Sequence, residues 1–397
     1  MQWFEGKNGI VVSVQRDAKK AKGRFLATHP AMLLQPEGTD WLNTNLLKSE
    51  AEALPKRIQK AFEKKETVTC INTAYGTIEQ WKQRELEIVK NFSKKKRVHL
   101  LALGDVGSTI LIGLKLLGGN CIDEIGIYDI NAAVCKRWEC ELNQTAFPWE
   151  YDKLPEVKIV SEENLFNCDV FIFCASKGIP PVGANVNDVR MAQFEANKSI
   201  IEIFAKKARQ NHFSGLFAVV SDPVDPLCKA AFLKSNQNDN NEFDAKGLLP
   251  EQIQGYGLGV MNARAAYFAK KEKRFDSFLT EGRAYGPHGQ DLVIANSIIN
   301  YDDTISRELT KRTVEANLKT RELGFKPYIA PALSSAAISI LLTLEGKWHY
   351  SSNFLGGIYM GCKNRTTKAG LEIESLPLDE SLYGRIQKAF QNLEEIL

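Results

Sequence analysis

The chain has 397 residues, 44% of them hydrophobic and 25% charged, with 51 Lys and Arg against 48 Asp and Glu for a formal net charge of +3. That composition excludes disorder and low-complexity architecture for the bulk of the chain, and so small a charge imbalance gives no ground for nucleic-acid or membrane partners. No apolar run reaches membrane-spanning length, the opening MQWFEGKNGI lacks the regions of a secretory signal, and eight scattered cysteines without a CxxC pair read as reduced thiols of a cytoplasmic protein.

Residues 1–96 are predicted to form an extra N-terminal region. GIVVSV at 9–14 and VTCI at 68–71 have strand character. Helices are predicted near 50–65, on the stripe Leu54, Ile58, Ala61, Phe62, and near 76–92, on Ile78, Trp81, Val89, Phe92. No catalytic constellation falls here, so the region reads as a cap or an oligomerisation element. The run KKKR at 94–97 reads as a solvated hinge.

From residue 97 the pattern becomes α/β. VHLLAL (98–103) is continuously apolar, as a parallel strand buried on both faces must be. A helix, GSTILIGLKLLGG, follows. Then come the strands EIGIYD (124–129), DVFIFCA (169–175) and LFAVVS (216–221), with a helix over about 188–211 between the last two. This alternation predicts a doubly wound parallel sheet over 97–226. Residues 227–397 read as an α+β substrate domain. They open with a polar exposed loop at 235–247, followed by helices near 260–272, 303–323 and 332–344 and a closing amphipathic helix bearing Leu382, Ile386, Phe390 and Leu393.

The first strand of the alternation runs through Ala102-Leu103-Gly104-Asp105-Val106-Gly107 into a helix. In a dinucleotide-binding turn, glycines let the backbone approach a pyrophosphate seated on the helix N-terminus. Gly104 and Gly107 stand where the second and third glycines of Gly-x-Gly-x-x-Gly would, with Asp105 and Val106 between them, and Ala102 occupies the first place. Asp129 closes the next strand, where a carboxylate accepts ribose hydroxyls and repels the extra phosphate of NADP. The cofactor expected is NAD.

Five further segments follow in order: ASKGIPP at 175–181, Arg190 with Asn197 seven residues on, SDPVDP at 221–226, MNAR at 261–264 and YGPHGQD at 285–291. In this order they resemble the lactate/malate dehydrogenase family, from Val98 to the C-terminus and most strongly to about residue 300. The resemblance implies a Rossmann NAD-binding domain, hydride transfer between a small 2-hydroxy acid and its 2-oxo acid, and a homo-oligomer, dimer or tetramer. It also assigns roles. His288 is the proton acceptor, since imidazole exchanges protons near neutrality. Arg190 polarises the substrate carbonyl. Arg264 grips the substrate carboxylate with a planar fork, and Asn197 lines the site.

The sequence departs from the family's pattern at two paired positions. Met261 stands where the family has the aspartate that holds the catalytic histidine, and Asp222 stands where it has an asparagine. One carboxylate is lost and one gained, so Asp222 is expected to take over as partner of His288. The segment between Ala175 and Arg190 is longer than in relatives, with Gly183–Asn187 the expected lid and Lys177 its one basic residue. Rival readings are an NAD- and metal-dependent glycosidase using Cys174 or Cys228 with His212, a catalytically drifted NAD-binding regulatory protein, and a scaffold that keeps the fold alone. No metal site is expected under the main reading.

Overall fold

The computed structural model describes residues 1–48, 51–177 and 189–396, with the side chains of 189–192 left out. The strands, in chain order, are β1 (Gln2–Gly6), β2 (Gly9–Val14), β3 (Arg24–Leu26), β4 (Val68–Asn72), β5 (Lys96–Leu101), β6 (Ile122–Tyr128), β7 (Glu156–Ile159), β8 (Val170–Phe173), β9 (Leu216–Val219), β10 (Ile253–Gly255), β11 (Arg283–Tyr285), β12 (Val293–Ala295), β13 (His349–Leu355), β14 (Ile358–Thr367) and β15 (Gly370–Ile373). The helices are α1 (Ala31–Leu34), α2 (Lys56–Glu63), α3 (Ile78–Asn91), α4 (Asp105–Leu117), α5 (Ala132–Asn143), α6 (Val189–Gln210), α7 (Val224–Ser235), α8 (Leu258–Ala269), α9 (Phe278–Glu281), α10 (Asp303–Glu322), α11 (Ile338–Leu344) and α12 (Glu380–Glu394).

Among the described residues thirteen strands form one sheet in the order β1-β2-β4-β3-β15-β14-β13-β10-β9-β8-β5-β6-β7. The six from β10 to β7 are all parallel. Counted from β5, their order is the 3-2-1-4-5-6 of a Rossmann sheet. Its strands are apolar on both faces because both are covered. Val98 and Leu100 of β5 enter a core with Ile110 and Leu114 of α4 and Ile340 of α11. Leu101, with Phe171 and Phe173 of β8, enters the opposite core against Phe194 and Ile201 of α6. The sixth parallel strand, β10, lies beyond residue 226, past the expected limit of the nucleotide-binding part.

Two features differ from the sequence expectation. β13, β14 and β15 form an antiparallel extension beyond β10 that the helical periodicity of the C-terminal half did not announce. Gly356 and Gly357, with φ of 68° and 110°, make the two-residue turn between β13 and β14, a conformation that glycine adopts without steric penalty. The N-terminal strands then continue the same sheet, β3 pairing in parallel with β15. Ile10, Phe25, Trp41 and Ile58 share a core with Met360, Leu371, Leu382 and Ile386. The first 72 residues are thus packed edge to edge with the last 40 or so. β1, β3, β7 and β10–β12 are further strands that the apolar patterning left unassigned, none of them longer than five residues.

Helix starts follow local chemistry. Thr77 and Gln80 form a reciprocal capping box on α3, and the Asp379 carboxylate accepts from the first amides of α12. The expected polar loop at 235–247 is present, but its ends are anchored. Asn236 is fully buried, donating to the carbonyls of Phe232 and Leu248 and accepting from the Gly247 amide.

Candidate active site

The loops that follow β5, β8, β9 and β10 carry Gly104, Lys177, Asp222 and Gly257. All four leave the carboxyl edge of the parallel sheet, where α/β proteins of this topology bind ligands.

In the first loop the three turn positions behave differently. Ala102 has a φ of +73°, the left-handed conformation usually left to glycine. Gly107 is sterically required, because a Cβ there would lie 2.0 Å from the Ala102 carbonyl oxygen. A Cβ on Gly104 would meet nothing within 4 Å, so the backbone faces open space at the N-terminus of α4. Ala102→Gly is expected to stabilise the protein by about 0.5–1 kcal/mol, the strain relieved less the added entropy of the unfolded chain, read as a higher denaturant midpoint at unchanged slope.

Asp129 holds this turn together. Its carboxylate accepts from the Leu103 amide at 2.8 Å and from the Asn131 amide at 2.9 Å. A carboxylate has about four acceptor directions, so ribose hydroxyls can still be accommodated. Beside it Ile130 is 95% exposed, an apolar wall suited to the flat face of a base. Ile130 was not among the residues that the sequence patterns singled out, although an apolar residue directly after the strand-terminal acid is a readable signal. Val106 is half-buried against the core under α4. Asp105, the first residue of α4, pairs with Lys326 at 2.9 Å, and the neighbouring carboxylate holds the Lys326 ammonium above its ordinary value.

After β9, Asp222 Oδ1 lies 3.5 Å from Nδ1 of His288, which stands in the connection between β11 and β12. The histidine rests on Gly257, where a Cβ would fall 2.9 Å from that of His288. Gly257 is the residue before α8. Its carbonyl accepts from Ser335 Oγ, which in turn accepts from the Val260 amide, so the start of α8 is pinned. Ser335 belongs to a π-helical segment, Pro331–Ala337, leading into α11.

Arg264 sits two turns along α8, about 10 Å along the axis from Gly257. Helical side chains lean toward the N-terminus, and its guanidinium reaches back to the Met261 sulfur at 3.9 Å. It is half-buried, burial lowers its pKa from the usual value, and no acidic partner faces it among the described residues. Met261 itself is 2% exposed in an apolar cluster with Leu258, Val260 and Phe275. The family's aspartate position is therefore part of the core.

Asn197 is placed differently from expectation. Fully buried, it donates to the Asp222 carbonyl at 2.7 Å and accepts from the Lys177 amide at 3.0 Å. With both ends engaged by backbone it positions the loops after β8 and β9 and does not itself present a group to a ligand. The Lys177 ammonium lies on Ser199 Oγ at the surface. Arg190 belongs to the first turn of α6, but its side chain, like the expected lid Gly183–Asn187, lies outside the described residues.

The thiols are not arranged for metal. Among the described residues no three His, Cys, Asp or Glu side chains are grouped to hold an ion. Burial raises the pKa of both Cys174 and Cys228, which opposes the thiolate form that binds metal.

No protein-family model matches the chain. Among curated proteins it is similar to the L-lactate dehydrogenase of Treponema denticola, 29% identical over 205 residues, a match covering 52% of this chain and 58% of that protein. The L-lactate dehydrogenase of Staphylococcus epidermidis is 25% identical over 331 residues, covering 77% of this chain and 97% of that one. Among solved structures, the malate dehydrogenase of Archaeoglobus fulgidus in complex with NADH superimposes with a TM-score of 0.59 at 17% identity, covering 76% of this chain and 98% of that one.

Proposed function

Because this chain belongs to the lactate/malate dehydrogenase family, we propose that it is an NAD-dependent oxidoreductase interconverting a small 2-hydroxy acid and its 2-oxo acid. The observation that carries the reading is the His288–Asp222 pair resting on the start of α8, the helix that also bears a half-buried guanidinium with no acid facing it among the described residues.

The cofactor reading is supported by the cradle itself. Gly104 leaves its space open, Gly107 permits helix and strand to touch, and Asp129, held against the turn by the Leu103 amide, would accept the ribose hydroxyls. Bound NAD would supply the hydride acceptor for oxidation, and its reduced form the donor for reduction. The chain's residues do the rest. His288 takes the hydroxyl proton through its second ring nitrogen while Asp222 fixes the first. Arg264 holds the carboxylate by two parallel hydrogen bonds and so orients the carbon that exchanges hydride. Arg190 is proposed, from the resemblance, as the group that stabilises developing charge on the substrate oxygen. Asn197 sets the loop carrying Asp222.

The test is oxidation of NADH, followed by absorbance, against pyruvate, oxaloacetate and larger 2-oxo acids. Turnover with one of them is expected, and tight NADH binding without turnover on any would overturn the enzyme reading. That second outcome belongs to an NAD-binding regulatory protein, which the apolar burial of Met261 favours. No observation favours the glycosidase. Among the described residues no helix is long and apolar enough to cross a membrane. Cytoplasmic location and a homo-oligomer are proposed on the unpaired thiols and the family resemblance.

A further inference from the structure

An acidic first residue is a liability in a dinucleotide turn. Asp105 places a negative charge on the helix end to which a diphosphate would bind, partly cancelling the favourable macrodipole. The lengthened loop after β8 offers no remedy, because no Lys or Arg occurs between Lys177 and Arg190, and Lys177 is directed to Ser199. A cation does reach the turn from the far side of the chain. Lys326, in the connection after α10, lies 2.9 Å from Asp105 Oδ2 across 221 positions of sequence. Both side chains are largely in water, at 80% and 51% exposure. An ion pair so exposed is screened and contributes little to stability, so its geometry is easily exchanged for another.

We infer that Lys326 is the diphosphate-binding cation of the cofactor site, parked on Asp105 until a dinucleotide arrives. The ammonium is a flexible point charge with three donors, so it can leave one carboxylate oxygen for a phosphate oxygen on the same helix end by rotation of its own stem. Asp105 then acts as a placeholder that keeps the lysine over the cradle, and it competes with the ligand for the same charge. The inference rests on the NAD reading above, and it identifies which chain segment, the one after α10, closes over the phosphates.

The test measures ligand binding, with no turnover required. Affinities of wild type, Lys326→Ala and Lys326→Arg would be determined for NADH, ADP-ribose and adenosine by fluorescence and competition. The expected result is about tenfold weaker binding of NADH and ADP-ribose to Lys326→Ala, a flatter salt dependence, affinity retained within about twofold in Lys326→Arg, and no change for adenosine, which carries no phosphate. If Lys326→Ala binds NADH like wild type, or loses adenosine and ADP-ribose equally, the assignment of Lys326 is overturned while the cofactor reading stands. If the wild type binds neither NADH nor ADP-ribose, the cofactor reading itself fails.

Discussion

His288→Gln is expected to lower kcat by about 10²–10⁴-fold, the usual contribution of a positioned general acid–base, with NADH affinity unchanged. Glutamine keeps the polar volume on Gly257 and removes the proton exchange, so a fall in kcat separates chemistry from packing. Asp222→Asn is the more informative companion. Asparagine is what the family carries there, so the substitution restores the familiar residue while leaving Met261 unable to serve the imidazole. If Asp222 orients His288 at 3.5 Å, its loss lowers turnover by about tenfold or more and reshapes the pH–rate profile. The double variant should be no slower than His288→Gln alone, because an orienting group has nothing to orient once the ring is gone. Additive losses would show that the two residues act independently, and an unchanged Asp222→Asn would remove the carboxylate from the mechanism.

The parts of this arrangement that sequence could disclose are those governed by short-range rules. β5, β6, β8 and β9 are legible because strands buried on both faces are continuously apolar, and α3 and α12 because their caps and stripes are local. The paired exchange at Met261 and Asp222 was legible as chemistry, since a carboxylate is hard to lose from a proton-transfer site without a substitute nearby. The antiparallel β13–β15 extension was hidden by a different cause. Both faces are covered here too, but Ser351, Ser352, Asn353 and Asn364 are buried polar residues, so the strands read as neither continuously apolar nor alternating, and the Gly356-Gly357 turn that announces them lies among other glycines. The pairing of β3 with β15 joins residues more than 340 positions apart, and no local pattern encodes so distant a register. Asn197 illustrates a subtler failure. Position in a motif suggested a ligand contact, whereas the burial that makes it a brace between two backbone segments depends on the tertiary fold. Lys326 escaped notice for the same reason, being remote in sequence from the turn it reaches.

Arg264 is where function and stability are expected to part. A guanidinium in partly desolvated surroundings with no acid facing it among the described residues is a burden on the ligand-free fold, and the carboxylate of a substrate is the group that would relieve it. Arg264→Met, similar in length and apolar like its neighbour Met261, should therefore leave the melting temperature unchanged or raise it. The same change removes a bidentate charge-assisted contact and should reduce kcat/KM by about 10²–10³-fold, or roughly 3–4 kcal/mol, most of it in KM. Arg264→Lys retains the charge without the planar fork and should fall between. The two readouts exclude different ideas. A large loss of stability would make Arg264 a structural residue of α8, and a stable variant with unimpaired KM would mean that the substrate carboxylate is held elsewhere. A stable variant that binds NADH normally and no longer saturates with 2-oxo acid is the result expected from the proposed role of Arg264.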